Sequence, residues 1–174
     1  KTTSENAEAQ KLIDKAWELD KSGAGAEIHK ECVALSEQAH ELDPDNPAIL
    51  VDISRYYFSY GDSLPKETSE QQKKLEVLYK KGLDAAEKSL DIEESVPAHY
   101  WYAVNKAASL EFSSILSQAW AFPSIYKHAT YVKENDPTYF YGANGRLWAE
   151  IITRVPSKVV EIVGKSYVTE AEEE

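Results

Sequence analysis

Glu37 and His40 stand three residues apart, the half-motif from which one helix offers a carboxylate and an imidazole to a di-iron centre. Such a centre needs a second Glu-x-x-His and two more glutamates on facing helices. His29, His99 and His128 follow Ala26, Val96 and Ile125 at that spacing, so the second half does not exist. Asp43-Pro44-Asp45-Asn46-Pro47 opens like a calcium loop, yet Pro47 takes the third ligand position and no glycine follows. Lone Cys32 lies one helical turn from His29, but a nucleophile also needs a third group to orient its base. A cysteine in that setting reads as a small hydrophobe. Gly23-Ala24-Gly25 has no third glycine and no preceding strand, so it reads as a helix connection. No catalytic residue, metal or cofactor is expected.

Binding chemistry is better represented. The chain has 11 tyrosines and 4 tryptophans, clustered at Tyr56-Tyr57-Phe58-Ser59-Tyr60, Tyr100-Trp101-Tyr102 and Tyr139-Phe140-Tyr141. At 3.6 residues per turn, consecutive aromatics on a helix are expected to divide between the core and a groove or oligomer surface. The candidate ligand- or partner-binding residues are Tyr56, Tyr60, Trp101, Tyr102, Asn105, Tyr139, Tyr141 and Arg146. Gly142 and Gly145 would leave backbone accessible beside Tyr139, Tyr141 and Arg146 at a helix start. Such a wall suits an amphipathic carboxylate ligand, provided Trp101, Tyr102 and Asn105 face it. The competing role for Arg146 is a structural salt bridge.

The elements that must position these residues are helices. Seven glycines and seven prolines punctuate long runs of helix formers with apolar residues at three- and four-residue spacing. Leu75, Leu78, Tyr79, Gly82, Ala86, Ser89 and Leu90 mark one stripe, and Leu50, Ile53 and Tyr57 another. No segment alternates like a strand. One domain is expected from 174 residues, with a hydrophobic fraction of 43%. Nineteen basic against 30 acidic residues leave a net charge of −11, which repels phosphate backbones and excludes nucleic-acid binding as the main task. A single cysteine excludes an internal disulfide. The longest uncharged stretch, Phe112 to Tyr126, is too short and polar to span a membrane. Lys1 begins a chain without methionine, so a processed start is expected.

Three joints resemble one another: Glu41 to Pro47, Leu90 to Pro97 and Lys133 to Pro137. In the first, Pro44 ends a helix, Asn46 caps the next and Pro47 suits its first turn. Pro65 and Ser69-x-x-Gln72 mark a loop entering another helix. Repeated helix ends call for repeat architecture. The segment from Leu42 to Asp62 resembles the tetratricopeptide repeat, with Pro44, Leu50, Ile53, Ser54, Tyr57 and Gly61-Asp62 on its motif positions. Cys32, Ser36 and Ala39, then Gly82, Ala86 and Ser89, fall on its small-residue slots. The expectation is an all-α, irregular tetratricopeptide-like solenoid of antiparallel helix pairs. Its repeats span about 5–44, 45–94, 95–137 and 138–170, a right-handed stack of three pairs and a C-terminal helix.

Asp136-Pro137-Thr138-Tyr139-Phe140-Tyr141-Gly142 through Arg146, ending in Arg154-Val155-Pro156, resembles the signature of the T component associated with TRAP transporters. Pro97-Ala98-His99-Tyr100-Trp101-Tyr102-Ala103 is similar to that family's aromatic helix opening. The resemblance implies a non-enzymatic periplasmic accessory protein, lipid-anchored before Lys1, that contacts a solute-binding protein; the small amphipathic ligand is the one that the wall of Tyr139, Tyr141 and Arg146 would take. Homo-oligomers are compatible with it. The alternative is a general scaffold for proteins or peptides, with a cytoplasmic location.

Overall fold

The computed structural model describes residues 1–140 and Gly145. The expected C-terminal helix, and with it Tyr141 and Arg146, lies outside the described residues. Within them the protein is all-α, and no strand is present.

Among the described residues six helices follow in order: α1 (Ala7–Ser22), α2 (Ala26–Leu42), α3 (Pro47–Asp62), α4 (Ser69–Ile92), α5 (Val96–Ser109) and α6 (Ile115–Asn135). Short polar residues start all but α2, which opens at Gly25, each accepting a backbone N–H that the helix cannot satisfy itself. Asn6 accepts from Glu8 and Ala9, Asn46 from Ala48, Ser95 from Ala98 and Ser114 from Ser117. Pro47 and Pro97 fall in first turns, where a missing N–H costs nothing. The box ahead of α4 sits one residue earlier than the Ser69–Gln72 pattern suggests. Thr68 caps the Gln71 N–H and the Gln71 side chain returns to the Thr68 N–H, while Gln72 donates to the Lys66 carbonyl. Either glutamine suits a box by type, and the path of the loop decides between them.

Each helix packs on the next, and α3 also meets α5, the first helix of the following pair, past α4. That second kind of contact fits helix pairs stacked as repeats. Close approach depends on small residues at the expected slots: Cys32, Ser36 and Ala39 in α2, and Gly82, Ala86 and Ser89 in α4, are all buried. Ser89 Oγ donates to the Pro47 carbonyl at 2.9 Å, pinning α4 to the start of α3. At Gly61 a Cβ would stand 2.6 Å from the Tyr79 ring, so the end of α3 lies flat on α4. The larger core joins α1, α2 and α3 around Ile13, Leu35, Ile49 and Tyr56. A second joins α5 and α6 around Trp101, Phe122, Ile125 and Val132.

Candidate functional site

The aromatic cluster of α5 does not divide between core and surface as its periodicity suggests. Tyr100, Trp101 and Tyr102 are all buried. α5 is enclosed by α3, α4 and α6, so three successive directions around it all meet protein. Trp101 meets Phe58 of α3 at 5.8 Å and Phe140 at 5.8 Å, and Tyr100 meets Tyr139 edge-on at 5.3 Å. Tyr102 lies on the small face of α4, against Leu83 and Ala86. Its hydroxyl is 2.8 Å from Ser124 Oγ of α6. Asn105 is fully buried, and its amide donates to the Ser54 carbonyl, the Ser54 hydroxyl and the Trp101 carbonyl. It fastens α5 to α3.

Of the remaining candidates, Tyr56 is buried and Tyr60 half-buried at the edge of the first core. Tyr139 is half-buried, and burial pushes its hydroxyl up to about 12. The described residues therefore bring Trp101, Tyr139 and Phe140 into one aromatic wall, while Tyr102 and Asn105 turn toward other neighbours. Behind that wall lies a charged group that sequence reasoning passed over. Arg55 donates to Asp20 of α1 at 2.8 Å, lies 3.8 Å from Asp52 and stacks on the Tyr56 ring at 4.2 Å. Burial raises the Asp52 carboxyl, and Arg55 opposes that shift. Nothing in the local motif around Arg55 names a partner 35 residues away.

Two surfaces face outward. A groove of about 440 Å³ runs between α2, α3 and α4. Glu37 and Glu41 line one side and Lys81 and Lys88 the other, with Leu50, Ile53 and Tyr57 beneath. Glu37 accepts from the Tyr57 hydroxyl, which binds the carboxylate of the incomplete Glu37–His40 half-motif into the packing of α2 on α3. The second surface is the start of α6. Phe112, Ile115, Leu116 and Trp120 are exposed there, Trp120 by 80%. They lie inside the uncharged Phe112–Tyr126 stretch, so its composition was the available signal. Leu116, Trp120 and Pro123 recur at i, i+4 and i+7 and share one face of the helix.

Cys32 is buried, with its thiol 3.5 Å from the Ala16 carbonyl, while His29 is bonded to Ser63 instead. Burial pushes the Cys32 thiol from 9.0 up to about 11. The thiolate fraction alone then falls about 100-fold, so N-ethylmaleimide should label native Cys32 at least ~100-fold more slowly than the urea-unfolded chain. Comparable rates would show that the α1–α2 contact opens freely.

Residues 5–152 match the family model described as Regulator of microtubule dynamics protein 1-3. No curated protein and no solved structure matches the chain.

Proposed function

The chain belongs to the family described as regulator of microtubule dynamics protein 1-3, and from that premise we propose that it is a non-enzymatic helical-repeat scaffold acting through contact with a protein partner. The observation that carries this reading is the uncharged strip of Phe112, Ile115, Leu116 and Trp120 at the start of α6. Monomers seldom expose apolar patches beyond a few hundred Å², and larger ones mark contact sites. Tryptophan is enriched among the residues that dominate such contacts. The family description names microtubule dynamics, which makes polymerised tubulin the first partner to test.

A second reading is favoured by the joint after α6. Asp136 accepts from both the Thr138 N–H and its hydroxyl, and Tyr139 packs on Tyr100. This is the opening of the segment that resembles the T component. On that reading the partner is a solute-binding protein of a TRAP-type uptake system in the periplasm, with a small amphipathic ligand near Tyr139. The two readings share a contact surface and differ in the partner.

Trp120→Asp, alone and with Leu116→Asp, separates contact from folding, because both side chains face solvent. Sedimentation with polymerised tubulin and titration against a purified TRAP solute-binding protein are the two measurements. One partner should bind the native chain and lose about tenfold in affinity or more with the variants, at unchanged circular dichroism. Binding to neither partner, or equal binding by native and variant chains, would count against the proposal.

A further inference from the structure

His99 of α5 and His128 of α6 lie in a continuous column of rings. Tyr102 stacks on His128 at 3.7 Å and 11°, His128 meets His99 at 4.7 Å, and His99 stacks on Tyr131 at 3.8 Å and 12°. The column alternates between the two helices, so it joins them as a zip does. Neither imidazole is set up to carry charge. The Nδ1 atoms of both are buried and without a hydrogen-bond partner. His99 is 4% exposed, and its Nε2 faces Glu94 of the preceding joint at 3.3 Å. Lys127 of α6 opposes a positive charge on either ring. From α4 the column meets Leu83, Ala86 and Leu90, packed around Tyr102. Among the described residues Glu94 is thus the one acid facing the pair, and its side chain is 67% exposed and screened by water.

We propose that the stacked His99–His128 pair is an acid-sensitive latch that fastens α6, and with it the uncharged contact strip, onto α5. The helix is suited to release. Among the described elements it packs chiefly on α5. Its interior Pro123 removes one helical hydrogen bond at the border between the exposed and the buried halves. Peripheral elements of this kind open at a lower free energy than the whole fold. As a regulator of the strip, the latch rests on the contact reading above, but the latch itself can be tested with no partner present.

The sign follows from burial. Desolvation lowers both imidazoles, with His99 lowered in part against Glu94 and His128 brought to about 4 from 6.5. A histidine depressed in the closed state holds α6 fully above 6.5 and loses its grip as pH falls toward about 4. From His128 alone, the opening equilibrium should rise about 20-fold between pH 7 and pH 5. Protonating one ring also places charge 4.7 Å from the other, which makes the second proton harder to add in the closed state.

Amide hydrogen exchange across α6, corrected for intrinsic rates and referred to α1 and α2 in the same molecule, reads this directly. The native chain should show a rise of about 20-fold in α6 opening from pH 7 to 5, with α1 and α2 unchanged. His128→Phe keeps a planar ring in the stack and should remove most of that rise. Loss of protection in step across all helices, or the same rise in the variant, would overturn the latch. Should the variant fail to fold, the His128 imidazole resonance of the native chain decides. A midpoint below about 5 supports the proposal, and one near the ordinary 6.5 overturns it. None of these outcomes depends on the strip binding anything, so they separate the latch from the contact reading.

Discussion

Gly82→Ala should destabilise the protein by about 2 kcal/mol, although alanine is the better helix former by about 1 kcal/mol in an open helix. A Cβ at Gly82 would stand 2.4 Å from Asn105 Oδ1 and 2.9 Å from Nδ2. Most side-chain ends could swing away at little cost. This one cannot, because Asn105 is fully buried and its amide is held by three hydrogen bonds to Ser54 and Trp101. Moving the amide would break bonds worth about 1 kcal/mol each and strand the groups they satisfy. Asn105 Oδ1 has no hydrogen-bond partner and faces the side of Gly82 on which any other residue would carry its Cβ. Asn105→Ala should cost about 2 kcal/mol by itself, through the lost bonds and the cavity left behind. The double variant should cost at least about 1 kcal/mol less than the sum, because the new Cβ enters vacated space. Urea unfolding of the four proteins measures the cycle. Strict additivity would show that the α4–α5 approach is looser than the geometry implies.

Arg55→Ala should be the most damaging charge deletion, at about 3 kcal/mol near neutral pH. The guanidinium sits between Asp20 and Asp52 with its side chain 17% exposed, and the two carboxylates are 20% and 21% exposed. Removing it leaves two acids facing each other between α1 and α3 with little water to screen them. Their partial exposure holds the expected loss at the lower end for a buried pair. Burial already raises Asp52 with Arg55 in place, and without Arg55 the carboxyl should rise further. A carboxyl raised in the folded state burdens stability when it is ionised and is relieved as pH falls through its folded value. The gap between variant and native chain should therefore narrow as the pH is lowered. Arg55→Lys keeps the charge but not the fork toward both acids and should recover only part of the loss. A loss below about 1 kcal/mol that does not vary with pH would show the network to be a surface pair.

Much of the architecture was legible in the chain itself. Joints such as Asp43-Pro44-Asp45-Asn46-Pro47 carry their own stop and start chemistry, since proline lacks a donor and asparagine supplies an acceptor over a few residues. The small stripe Gly82, Ala86 and Ser89 could be recognised because only small side chains let helices approach. Both signals are local. The capping box moved by one residue because Thr68 and Ser69 are equally competent caps, and the loop reaching them is set by packing at a distance.

The site was less legible, because its residues are told apart by neighbours far off in sequence. Trp101, Tyr102 and Trp120 are alike as residue types, yet two are buried and one is 80% exposed. α5 is surrounded on three sides, while among the described residues the start of α6 has no helix packed over its exposed face. Asn105 is polar and stands beside aromatics, which suits a ligand site equally well until Ser54, 51 residues away, takes its donors. The same holds for Arg55 with Asp20, and for His99 with His128. Sequence by itself determined where helices begin, where they end and which faces could approach. Only the tertiary structure decided which aromatic and charged groups have partners and which are left to solvent, because burial and pairing depend on all the elements that meet at a point, and no single stretch of chain contains them.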